Sequence, residues 1–209
     1  MKHSNFKFWM LVSAVLMLGL GACKLELGQE IWLNEDNSGR ARLEAEVVIP
    51  RMAEGEEGDG PSDDNALQDY ADRIAGNPGA TLSLYETSTN HNPDEFRYLY
   101  ELEFSFNNLQ TLRNIICIDS TRGFNVDLAT GNKQAEIDPH NFLMQEESDI
   151  QEYFSLMDVS MDLVLHLPSE PQKIDTKAAY IAAEKELSWE FILDQEWYNQ
   201  PEHNILIVF

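Results

Sequence analysis

Side chains able to do chemistry are abundant in this 209-residue chain, but few are arranged for it. There are 37 Asp+Glu against 14 Lys+Arg, a formal net charge of -23. At that density acid pairs of the glycosidase kind arise by chance, so spacing singles out none of them. Past the N-terminal segment the histidines are His91, His140, His166 and His203. No two have His-x-x-x-His spacing and no cysteine pair joins them, so neither a metal nor another cofactor is expected. Asn34, Asp36, Ser38 and Gly39 imitate the opening of a calcium loop. The twelfth position of such a loop needs a bidentate Glu, and Ala45 stands there, so a turn between strands is the preferred reading. Cys117 lies in Ile115-Ile116-Cys117-Ile118 and reads as a small buried hydrophobe, because apolar surroundings raise a thiol's pKa. No nucleophile elbow, phosphate loop or dinucleotide fingerprint occurs. These patterns point away from an enzyme.

Cys23 has a different context. Lys2 and Lys7 precede a 13-residue apolar run from Phe8 to Leu20, and the run ends in Leu20-Gly21-Ala22-Cys23. The run is short for a ~30 Å hydrocarbon core but has the length of a secretory signal's apolar region. Leu20, Gly21, Ala22 and Cys23 resemble the lipobox of bacterial lipoproteins: an aliphatic residue, two small residues, then the cysteine that receives lipid. The resemblance implies that residues 1–22 are a signal peptide and that 23–209 form one extracytoplasmic, periplasmic domain. It also implies attachment to the membrane through acyl chains at Cys23, for which two or more chains give stable anchoring where one is marginal. In that class an Asp after the cysteine marks inner-membrane retention. Lys24 stands there, which favours the outer membrane of the cell envelope.

The charge excludes other partners. Nucleic acid needs a basic patch, and none is visible. Docking on anionic lipid heads needs the same. The acids concentrate in residues 52–64, where Glu54, Glu56, Glu57, Asp59, Asp63 and Asp64 stand among glycines without a base. That composition reads as a solvated loop, with weak Ca²⁺ binding as the sharper alternative.

Alternation and helical spacing supply the elements that would position these groups. Strands are expected over 25–33, 40–49, 81–88, 95–106, 123–128, 155–167, 187–193 and 204–209. Residues 34–39 are turn formers, and 89–94 join two strands as a polar segment. Ser62 is a candidate cap for a helix with Ala66, Leu67, Tyr70, Ala71 and Ile74 on one face, closed by Gly76. Asn107 or Asn108 is a candidate cap for a helix with Leu109, Leu112, Ile115 and Ile116 inward. Residues 129–151 read as irregular, and 176–187 fit either a helix or a hairpin arm. The fold class is α+β: an antiparallel sheet of about six to eight strands with two short helices packed on it.

A lipobox followed at once by a strand, a polar turn and a strand ending in Pro50 resembles bacterial lipoproteins of the LppM type. So do Phe104 to Leu112, a strand running into a Leu-spaced helix, and the late Ser188-Trp189-Glu190-Phe191. The resemblance spans about residues 25–209. It implies a membrane-tethered, non-enzymatic module that binds a lipid, another apolar ligand or an envelope protein, and it favours the hairpin for 176–187. Phe96, Tyr98 and Tyr100 on one strand face are the candidates for contact with such a ligand, against the plainer reading that they are core. The alternative function is an envelope hydrolase with a carboxylate site.

Overall fold

A computed structural model describes residues 23–50, 67–91, 94–117, 124–126, 134–137, 158–171, 173–175, 180–183, 185–194, 196–197 and 205–208. The N-terminal segment with Leu20, Gly21 and Ala22, the acidic stretch 52–64, Ser62, His140 and His203 lie outside them.

Eleven strands and two helices are described. In chain order they are β1 (Lys24–Leu33), β2 (Gly39–Pro50), α1 (Gln68–Ala75), β3 (Ala80–His91), β4 (Glu95–Phe106), α2 (Leu109–Ile116), β5 (Phe124–Val126) and β6 (Gln134–Ile137). Then follow β7 (Asp158–His166), β8 (Lys173–Asp175), β9 (Tyr180–Ala183), β10 (Glu186–Ile192) and β11 (Ile205–Val208). The large sheet has seven strands in the order β3-β4-β2-β1-β7-β10-β9, and the small one has four in the order β5-β6-β11-β8. The fold class is α+β.

The large sheet is mixed, which corrects the expectation of an antiparallel one. β1 pairs antiparallel with β2 and parallel with β7, from Lys24↔Asp158 to Trp32↔His166. Alternation reports which face a residue takes and is the same for either strand direction, so it could not have revealed this. Three boundaries also move. β3 runs on to His91 through part of the stretch read as a connecting segment. β6 lies within the stretch read as irregular. The described helix of α1 begins at Gln68, with Leu67 before it and no side-chain cap. Tyr180–Ala183 and Glu186–Ile192 pair antiparallel as β9 and β10, in agreement with the hairpin reading.

Alternation builds the core. Ile31, Leu33, Leu43, Leu102, Phe104, Met161, Leu163, Leu165, Leu187 and Trp189 all point inward and are at most 5% exposed. α1 adds Tyr70 and Ile74, and α2 adds Leu112, Ile115 and Ile116. Ile137 of β6 and Ile205 and Ile207 of β11 belong to the same apolar cluster. The Asn108 side chain accepts from Thr111 N–H at 2.9 Å and caps α2. Arg73 of α1 donates to the carbonyls of Ile115 and Cys117 at 3.0 and 3.2 Å, which satisfies carbonyls at the end of α2 and ties the helices together.

The β1–β2 connection is a hydrogen-bonded turn, as expected. Asn34 N–H donates to the Ser38 carbonyl and Asn37 N–H to the Asn34 carbonyl, with Asn37 at φ 66°. Asn is among the residues that tolerate that left-handed conformation. The Ser38 amide and hydroxyl both donate to Asp36, which holds its carboxyl below the usual range. Asp36 is thus committed to closing the turn.

Candidate functional site

Cys23 precedes the first residue of the central strand. Its carbonyl accepts from Asp158 N–H at 3.1 Å, so the backbone at the candidate lipid attachment point is already joined to β7. Cys23 is 6% exposed, and burial pushes its thiol up from the ordinary value. In the folded domain this sulfur is a poor thiolate. Parallel pairing puts the starts of β1 and β7 at one end of the sheet. Ile192, 69% exposed, lies at that end through the pairs Ile192↔Ser160 and Ser160↔Glu26.

The opposite end of the outer face carries a stack. The Trp32 and His166 rings are parallel with centroids 4.8 Å apart, and the Arg40 guanidinium lies 3.9 Å from the Trp32 centroid. His166 Nε2 is 2.6 Å from a Glu30 carboxylate oxygen, and its Nδ1 is 3.4 Å from Glu186. The remainder of this face divides by charge. On β2 and β4, Arg42 bridges Glu44 and Glu101 at 2.6 and 2.9 Å, and Arg97 bridges Glu46 and Glu95 at 2.8 and 2.5 Å. Across β1, β7 and β10, Glu26, Asp162 and Glu190 come together with no ion pair to a cation among the described residues. Desolvation first, then repulsion from Glu190 and Glu26, raises the Asp162 carboxyl. Among the described residues no group of three His, Cys, Asp or Glu side chains is arranged to hold a metal ion.

The inner face accounts for the aromatic candidates. Tyr98 and Tyr100 are 9% and 3% exposed, and Phe96 packs against the same cluster half-buried. Desolvation raises both phenols, with Tyr98 adding to the shift at Tyr100. This is the environment of core side chains under two helices. Cys117 is buried in the same cluster, as its apolar setting implied.

Two inward residues escaped the sequence reading. Gln29 is 7% exposed and its Oε1 meets no hydrogen-bond donor; Trp189 is 2% exposed and its Nε1 meets no acceptor. The signal for Gln29 was present. It interrupts Leu25, Leu27, Ile31 and Leu33, the otherwise apolar face of β1. Trp189 stands in the Ser188-Trp189-Glu190-Phe191 strand singled out from the sequence, but a buried tryptophan is ordinary until its indole lacks a partner.

What these features define is an α+β domain whose candidate anchor and central strand are adjacent. No family model matches the chain, and no curated protein matches it. Among solved structures it is similar to the folded domain of the Mycobacterium tuberculosis protein LppM. The TM-score is 0.36 at 10% identity, over 88% of this chain and 90% of that one. It is also similar to an M1 zinc metallopeptidase of Deinococcus radiodurans, with a TM-score of 0.31 at 7% identity, over 90% of this chain and 42% of that one. Both likenesses are distant, and the fold class rests on the chain's own strand pairing. No helix among the described residues is long and apolar enough to cross a membrane.

Proposed function

We propose that the chain is a lipid-anchored, non-enzymatic binding domain of the bacterial cell envelope. It would be held at the membrane through Cys23 and would take an apolar ligand or an envelope protein. The observation that carries this reading is the junction at Cys23: a charged start, an apolar run and Leu20-Gly21-Ala22 lead directly into the central strand of a folded domain. The anchor and the sheet then have no tether between them. One end of the sheet, with Ile192, stands at the bilayer, and the Trp32–His166 stack lies about 26 Å along the strands from it. Lys24 favours the outer membrane.

Cells fed a fatty-acid probe should label the wild-type protein, and the Cys23→Ala variant should stay unlabelled with residues 1–22 attached, as read by mass spectrometry. Equal masses and no label in either would remove the anchor. The delipidated protein should also carry co-purifying lipid or retain an envelope protein through purification; a clean monomer with neither would count against binding.

The alternative, an envelope hydrolase, has one observation on its side. Asp162 is a carboxyl with raised pKa beside two other acids on an accessible face, which is the environment of a general acid. Turnover on a panel of glycans and esters that is lost in Asp162→Asn would establish it. No turnover on that panel would leave the binding domain.

A further inference from the structure

The two edges of the large sheet differ. β9 is four residues long, whereas β3 runs for twelve and is outermost in the strand order. A sheet edge presents unpaired N–H and C=O groups, which proteins blunt with short strands, bulges, prolines, lysines or a covering element. The first half of β3 is blunted. Its register shifts between Leu82 and Leu84, and the Tyr85 hydroxyl donates to Gln68 of α1 at 2.8 Å. The second half has none of these devices. Glu86, Thr87, Ser88, Thr89 and Asn90 are all exposed, and they pair without interruption from Glu86↔Glu101 to Asn90↔Arg97. Among the described residues no strand lies on their outer side.

Position and charge define what fits there. Thr89 lies in one row with Tyr98, Val47 and Leu25, so the open edge is level with the start of β1. Three strand spacings, about 14 Å, separate the two. Glu86 stands directly opposite Glu101, and like charges so placed destabilise a sheet. Glu101 shares Arg42, while Glu86 has no ion pair among the described residues. A base at the facing position of an added strand would supply that missing cation. A second copy fits poorly. Two β3 edges related by a two-fold axis run antiparallel, which turns one copy's anchor end away from the bilayer, and each chain carries a net charge of -23.

We infer that residues 86–90 pair by β-strand addition with an extended segment of an envelope protein, one that carries a Lys or Arg opposite Glu86. This rests on the envelope-protein reading above and deepens it.

The full chain, lipidated, ¹⁵N-labelled and held in detergent, is titrated with the end-blocked peptide Thr-Thr-Val-Lys-Val-Thr-Thr. The backbone amide signals of residues 86–90 should move saturably. Only alternate N–H groups of the peptide face β3. Of two peptides N-methylated at odd or at even positions, one should therefore bind like the parent and the other should lose binding. Replacing the peptide's Lys by Glu should weaken binding about threefold. Glu86→Lys, a change at an exposed position that removes a like-charge pair, should fold at least as stably and reverse that order.

No saturable shift with any of these peptides overturns the inference. So do two N-methylated peptides that both bind like the parent, and so does a preference for Lys over Glu that survives Glu86→Lys. A chain that dimerises through the same amides without peptide overturns it in favour of a second copy. The co-purification experiment judges the binding reading separately in each case.

Discussion

Trp32 and His166 stack with ring planes 2° apart and centroids 4.8 Å apart, the spacing of neighbouring strands. They are direct partners in the parallel pair β1–β7, so strand pairing itself sets the rings face to face. Arg40, the antiparallel partner of Trp32, covers its other side. The stack therefore reports on whether three central strands are in register.

A double-mutant cycle on Trp32→Ala and His166→Ala should return a coupling of about 0.5–1.5 kcal/mol in urea denaturation. The cycle cancels the Arg40 contact, which is lost with Trp32, and the Glu30 contact, which is lost with His166. Additive effects would show that the rings are neighbours without interaction.

Gly39 is required by close approach. A Cβ there would run into the Trp32 carbonyl and the Phe106 ring, both fixed by the sheet. Gly39→Ala should cost about 1–3 kcal/mol, as overpacking does. Gly28→Ala is the control, since its Cβ would lie 3.3 Å from the Cβ of Glu44 on the half-exposed outer face. It should change stability by no more than about 0.5 kcal/mol.

The α2 cap is testable by itself. Asn108→Ala should cost about 1 kcal/mol by losing the bond to Thr111 N–H, and Asn108→Asp should retain most of it. Chemical denaturation of the three proteins measures the difference.

Asp162 carries a pH signature. Its folded pKa is raised, so between the unfolded value near 4 and the folded value the native state holds a proton that the unfolded chain has released. Stability is therefore lost as pH rises through that window and regained on acidification. Asp162→Asn should melt higher than wild type at pH 7, and the difference should shrink towards zero below about pH 4. Thermal melts across that range check it; a variant no more stable at pH 7 would show that Glu26 and Glu190 do not strain this site.

The sequence by itself determined the faces. Phe104 and Leu163 are buried and Glu103 and Asp162 turned outward because successive side chains on a strand alternate, whatever the strand pairs with. It also determined the 34–39 turn and narrowed the α2 cap to Asn107 or Asn108, since such chemistry is closed within a few residues. Placing Phe96, Tyr98 and Tyr100 together on one face followed from the same rule. Only the tertiary structure decided which strands lie side by side. The parallel β1–β7 pair, the second sheet built on β6 and β11, and the His166–Glu30 contact across 136 residues all depend on it. So does the orphaned pair Gln29 and Trp189. Alternation records no partner, no direction and no register, and those are settled by how whole apolar faces close over one another.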